Sequence, residues 1–224
     1  MSPRPRTVDD QTILDAAIRV LSRIGADRLT LADVGAEAGL SAATLVQRFG
    51  SKRDLMLSLM RHATQVADER FENNLGSHES PIESLVFAAM ERPGPGDEPV
   101  NQANRLAFFL AQLDDPEFHA LAVADSRKAV DGYKRSIENA AEAGELTGYI
   151  DAEQLAETIH AVTYGSLVAW SITRDGTLSA KVRRDLDAVL RPFRRGGRKL
   201  NGVSHLDDRD RGEGKYISAP PAVA

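Results

Sequence analysis

LTLADVGAEAGLSAATLVQRFGSKRDL, residues 29–55, decides the fold. Its apolar positions Val34, Ala38, Leu40, Leu45 and Phe49 are spaced for two short helices packed on each other. Between them Gly39 supplies the positive φ of a tight turn, Gly35 permits close helix approach, and Ser41 is placed to cap the second helix. Thr30 with Asp33, and Ser51 with Asp54, have the spacing of a capping box, in which a hydroxyl and a carboxylate satisfy early helical N–H groups. Gly39 and Gly50 stop the two helices, and the stretch reads as a helix-turn-helix.

Working outward, Ile13, Ala17, Val20, Leu21 and Ile24 form one apolar stripe that ends at Gly25, with Thr7 and Asp10 as its capping pair. On the other side helices are expected at about 54–72, 81–90, 102–113, 117–143, 152–174 and 179–195. ERPGPGDEPVN, residues 91–101, reads as a turn-rich loop. No stretch alternates with period two, so the fold class is all-α: an N-terminal three-helix domain followed by a larger helical one. The expected divisions are a flexible basic arm at 1–10, the helix-turn-helix domain at 11–55, the larger domain at 56–195 and a disordered tail at 196–224. That tail is rich in Gly, Pro and charge.

The chain has 224 residues and no cysteine, and 28 basic against 33 acidic side chains leave a net charge of −5. Disulfide frameworks, thiolate nucleophiles and cysteine-ligated metal sites are thereby excluded. No apolar run approaches the ~20 residues of a membrane-spanning helix, and a cytoplasmic protein is the default expectation. The acidic total conceals a basic head: residues 1–62 carry nine Lys and Arg against seven Asp and Glu. Overall charge therefore does not argue against nucleic acid, because the face presented to phosphate sets the electrostatics.

A second helix of about seven residues spans ~11 Å, which suits a major groove ~12 Å wide. Its exposed positions are Ala42, Ala43, Thr44, Gln47 and Arg48. Small residues at its start let the backbone approach base edges, Thr44 can donate to phosphate, and Gln47 and Arg48 can read or clamp DNA. Lys52, beside the next helix's N-terminal N–H groups, adds a phosphate site. Thr30, Ser41, Ala42, Ala43, Thr44, Gln47, Arg48 and Lys52 are the candidate DNA-binding residues. Arg4 and Arg6 are candidates for a minor-groove arm.

Residues 13–57 resemble the TetR family of bacterial transcriptional regulators. The resemblance lies in the first helix ending near a Gly, Thr30-Leu-Ala-Asp-Val34, Ala38-Gly-Leu-Ser41, the Leu45-to-Phe49 helix and Ser51-Lys52 leading to Leu55. The chain departs from the family pattern at Gly35, where Ala is commoner, and at Val46, where Tyr is usual. The resemblance implies a larger domain that binds a small-molecule effector and dimerises through its last two helices. It implies a homodimer on palindromic double-stranded DNA, with repression the commoner mode. A helical protein that binds small molecules and has a weakened DNA-binding head is the alternative, and Val46 is its motive.

The residues of the larger domain agree. Residues 155–172 are apolar around much of the helix, and Val182, Leu186, Val189, Leu190 and Phe193 share one stripe of the next, making 152–174 and 179–195 the interface candidates. Phe87, Met90, Phe108, Tyr133, Tyr164 and Trp170 are the candidate ligand-binding side chains, with Phe109 a further large residue. No enzyme is expected. Glu157-x-x-His160 is half of a di-iron motif whose second half is absent, and no Ser, His or Gly-rich segment has catalytic or phosphate-loop spacing. Neither a cofactor nor a metal site is expected.

Overall fold

The computed structural model describes residues 8–75, 77–93, 98–111 and 113–195. Among the described residues the fold is all-α: α1 (Asp10–Ile24), α2 (Leu31–Ala38), α3 (Ala42–Phe49), α4 (Lys52–Leu75), α5 (Pro81–Glu91), α6 (Pro99–Ala111), α7 (Pro116–Glu142), α8 (Ala152–Thr173) and α9 (Leu178–Leu190). No helix among them is long and apolar enough to cross a membrane. The basic arm through residue 7, with Arg4, Arg6 and the expected cap Thr7, and the tail at 196–224 lie outside the described residues.

Local chemistry sets the ends. At α1 the capping side chain is Asp9, which accepts from Thr12 N at 2.7 Å. Pro99 opens α6 three residues earlier than expected, since a first-turn residue needs no N–H donor; the loop before it is correspondingly shorter. α9 stops at Leu190 instead of 195, because Pro192 lacks the N–H that would extend the ladder. The chain continues as a 3-10 turn, Arg191–Phe193, and folds back so that Thr147 N donates to Phe193 O at 2.7 Å.

Two apolar clusters form. The head cluster holds Ile13, Val20, Leu29, Val34, Leu45 and Leu55, runs down α4 through Met60, and takes in Phe108 of α6 and Phe118 of α7. The body cluster gathers Leu85, Tyr133, Ile137, Ile159, Trp170 and Leu186 from α5, α7, α8 and α9. Polar ties span the junction. Arg53 at the start of α4 reaches Asp115 at 2.7 Å and Glu117 at 2.8 Å, and His62 meets Asp15 at 2.9 Å. Asn104 of α6 donates to Ser22 O at 2.7 Å, holding the end of α1.

Candidate functional site

The turn between α2 and α3 is built from two glycines with different duties. Gly39 adopts φ 70°, ψ 30°, a left-handed conformation costly for other residues. Gly35 is needed for space, since a Cβ there would stand 2.7 Å from Leu40 O. The Thr30 capping box closes fully: Thr30 Oγ1 accepts from Asp33 N at 3.2 Å, while the Asp33 carboxylate accepts from Thr30 Oγ1 at 2.6 Å and Thr30 N at 2.9 Å. Those bonds hold the Asp33 carboxyl below the usual carboxylate range. Ser41 Oγ accepts from Thr44 N at 3.1 Å and lies 2.9 Å from the Thr44 hydroxyl.

α3 buries Leu45 and turns Ala43, Val46 and Gln47, spaced i, i+3 and i+4, to the outside. Ala42 and Thr44 are half-buried, and Ser41 is exposed. The two basic residues assigned to DNA also hold neighbouring segments. Arg48 donates to Val8 O at 2.5 Å and Asp10 at 3.1 Å, tying the chain before α1 to the end of α3. Lys52 Nζ donates to Asp27 O at 3.3 Å. Thr30 is likewise engaged in its cap.

A cavity of about 420 Å³ lies where head and body meet. Asp15 and Ile18 of α1, Met60 and Arg70 of α4, Arg105, Phe108 and Phe109 of α6, and Tyr164 of α8 line it, with Arg92 and Asp125 behind. Of the six sequence candidates, Phe108 and Tyr164 are on its wall. Phe87 instead packs beside His78 at 5.2 Å, and Met90 lies against the body core. Tyr133 is buried edge-on to Phe71 at 5.0 Å, and Trp170 donates to Gly176 O at 3.0 Å in the core. These four face helix-to-helix packing, a role that helical spacing alone does not separate from cavity lining.

Sequence reading missed the cavity's ionic side chains. Arg92, 4 % exposed, donates through Nη2 to Asp125 Oδ1 at 2.7 Å, and its guanidinium lies 5.4 Å from the Phe71 ring centre. Its Nε and Nη1 have no hydrogen-bond partner. Burial is the largest influence on Arg92 and opposes its charge, but Asp125, Tyr133 and Tyr164 together outweigh it and raise the guanidinium pKa. Burial also raises the Asp125 carboxyl, against the pull of Arg92. The signal was present for Asp125: a carboxylate stands in register with Phe118, Ala122, Ala129 and Tyr133 on the buried stripe of α7. Arg92, in the turn-rich segment, gave none.

On the far side, α8 and α9 present a shallow groove lined by Ala161, Val162, Gly165, Ala188 and Val189. The expected α9 stripe divides there. Val182, Leu186 and Leu190 are buried in the subunit's own core, and Val189 faces the groove.

The family model described as "Bacterial regulatory proteins, tetR family" matches residues 13–59. Two curated relatives are HTH-type transcriptional regulators BetI. That of Brucella anthropi is 34% identical over 74 residues, 33% of this chain and 38% of that one. That of Agrobacterium fabrum is 28% identical over 166 residues, 72% and 76% of the two chains. Two solved structures share the fold. A transcriptional regulator from Saccharomonospora viridis in complex with choline superposes with a TM-score of 0.70 at 21% identity, covering 83% of this chain and 97% of that one. SmeT, the repressor of the Stenotrophomonas maltophilia multidrug efflux pump SmeDEF, gives 0.67 at 20%, covering 87% and 95%.

Proposed function

We propose that this chain, which belongs through residues 13–59 to the tetR family of bacterial regulatory proteins, is a ligand-responsive transcriptional repressor. Two subunits bind a palindromic operator, each laying α3 in the major groove, and release it when a small organic molecule fills the cavity between head and body. The observation that carries the reading is the α3 surface: Ala43, Val46 and Gln47 face outward from a helix fixed on both sides by the Thr30 box, the Gly39 turn and the Ser41 cap. Gln47 reads a base edge, while Ser41, Thr44 and the charges of Arg48 and Lys52 position the phosphates. Ala42 and Ala43 keep the helix start close to the groove.

Residues 11–55 are the DNA-binding domain in this reading, and 56–195 bind ligand and dimerise. The groove of α8 and α9 is the dimer face; its small side chains let two such pairs approach closely, as a four-helix contact requires. The protein is a cytoplasmic binding protein and not an enzyme. Cavity position supports the coupling: α6 places Phe108 and Phe109 on the wall, while its Asn104 grips the end of α1. A guest that moves α6 moves the head.

Selection of bound duplexes from random sequence, followed by anisotropy titration, tests the proposal. A palindrome with half-sites about one helical turn apart is the expected product. Gln47→Ala then changes base preference at one position per half-site, and Lys52→Ala lowers the salt slope by about one per subunit. Absence of any enriched sequence overturns it. A double Ala161→Asp, Val168→Asp variant, altered at exposed α8 positions, is expected to sediment as a folded monomer.

A further inference from the structure

Four arginines and two aspartates stand on the cavity wall, and most of these charges are already matched. Arg19 pairs outside the cavity with Glu37 at 2.9 Å. Asp125 is held by Arg92, and Asp15 lies 2.9 Å from His62. Both carboxylates on which an ammonium guest would rely are thus engaged. Arg70 has no ion-pair partner among the described residues. Arg105 stands on the same wall and has an interaction of its own, and burial, with the charge of Arg70 acting in the same direction, lowers its guanidinium pKa. Phe109 and Tyr164 stack with ring centres 6.2 Å apart, and with Phe108 they give the other side of the cavity an apolar surface.

We propose that the molecule this cavity takes is an organic anion: a carboxylate directed at Arg70, on a compact apolar body that lies against Phe108, Phe109 and Tyr164. A guanidinium is the side chain best matched to a carboxylate, and no carboxylate among the described residues competes for Arg70. The buried Arg92–Asp125 pair forms the neutral floor, and the unpartnered N–H groups of Arg92 donate to a guest's second oxygen after a small side-chain shift. Calling the guest an effector rests on the regulatory reading above; its charge does not.

Three probes with one alkyl body separate charge from hydrophobicity: octanoate, octanol and octyltrimethylammonium, titrated into the full-length protein by calorimetry. Octanoate is expected to bind about tenfold or more tighter than the ammonium, with octanol between. Arg70→Gln weakens octanoate about fivefold and leaves octanol unchanged, whereas Arg70→Lys keeps the order of the three. Equal or tighter binding of the ammonium overturns the proposal, as does failure of octanoate to bind at millimolar concentration. So does an Arg70→Gln protein that retains the full preference. A parallel anisotropy titration with the selected duplex separates the two readings. Octanoate that binds with this preference yet leaves DNA affinity unchanged sinks the effector role and leaves the anion site standing.

Discussion

The head and the body satisfy their polar groups over different distances along the chain. In the head every helix start is closed over three residues, Asp9 to Thr12, Thr30 to Asp33, Ser41 to Thr44 and Ser51 to Asp54, and the longer ties, such as Arg48 to Val8, stay on its surface. The body has similar caps, but its partly buried polar groups join segments far apart in the chain, as in Arg92 to Asp125, Arg183 to Glu83 and Ser80 to Glu145. Arg92 and His160 also keep buried nitrogens without a hydrogen-bond partner. The head is therefore specified turn by turn and should keep its shape whatever the body binds. The body is held by pairings that a guest can compete for, which is where a low-cost rearrangement belongs.

The largest expected effect breaks such a pairing. Arg92→Met leaves Asp125 buried without its guanidinium and is expected to cost about 3–5 kcal/mol in denaturant unfolding. Adding Asp125→Leu removes the orphaned carboxylate and recovers most of that loss. If the double variant is as unstable as the single one, the pair is not the organising contact of the cavity floor.

Two glycines give a matched test of head against body. A Cβ on Gly35 would meet Leu40 O at 2.7 Å, and one on Gly132 would come 2.3 Å from Phe71 Cε1, beneath Arg92. Each Gly→Ala change is expected to cost about 1–3 kcal/mol by overpacking. The consequences separate: Gly35→Ala displaces α3 and weakens DNA binding, while Gly132→Ala pushes Phe71 toward Arg92 and weakens octanoate binding. Thermal melts paired with the two titrations check this, and a Gly132→Ala protein impaired only on DNA would contradict it.

The same difference explains what the sequence disclosed. Thr30, Gly39 and Ser41 act within a few residues of themselves, so spacing alone located the turn and both caps. Tyr133 and Trp170 defeated that method, because a large side chain on a helix has the same spacing whether it meets another helix or a cavity. Which it meets depends on residues such as Gly132, remote from Phe71 in sequence and pressed against it in the fold. Leu186 shows the same ambiguity at the proposed dimer face: its stripe was legible, but not that Leu186 faces inward and Val189 outward.

A smaller effect tests the body's buried imidazole. His160 Nε2 lies 3.0 Å from Ser126 Oγ, and burial, helped by the charge of Arg92, lowers its pKa to about 4. With the folded value below the unfolded one, the neutral ring's contribution is complete above pH ~6.5 and is lost as pH falls toward 4. Between about pH 7 and pH 5 the protein should lose roughly 1–2 kcal/mol more stability than His160→Gln, the full shift being discounted for partial solvation. Parallel loss in both proteins would assign the acid sensitivity to other groups.

The smallest effect compares two serine caps, chemically alike and placed in the two regions. Ser41 Oγ accepts from Thr44 N at 3.1 Å, and Ser80 Oγ accepts from Glu83 N at 3.2 Å. Either Ser→Ala change is expected to cost about 1 kcal/mol, the usual worth of an N-cap. Ser41→Ala frays the first turn of α3, where the DNA contacts are proposed, so DNA affinity should fall with octanoate binding unchanged. Ser80 also donates to Glu145 at 2.9 Å, so its loss leaves Ile82 N, at 3.1 Å, as the remaining tie of α5 to that carboxylate and loosens the segment that ends at Arg92. There the octanoate affinity should fall while DNA affinity in the absence of octanoate stays level. Measuring both affinities on both variants gives four numbers, and a Ser41→Ala protein that loses octanoate as readily as DNA would show that the head does not hold its shape independently of the body.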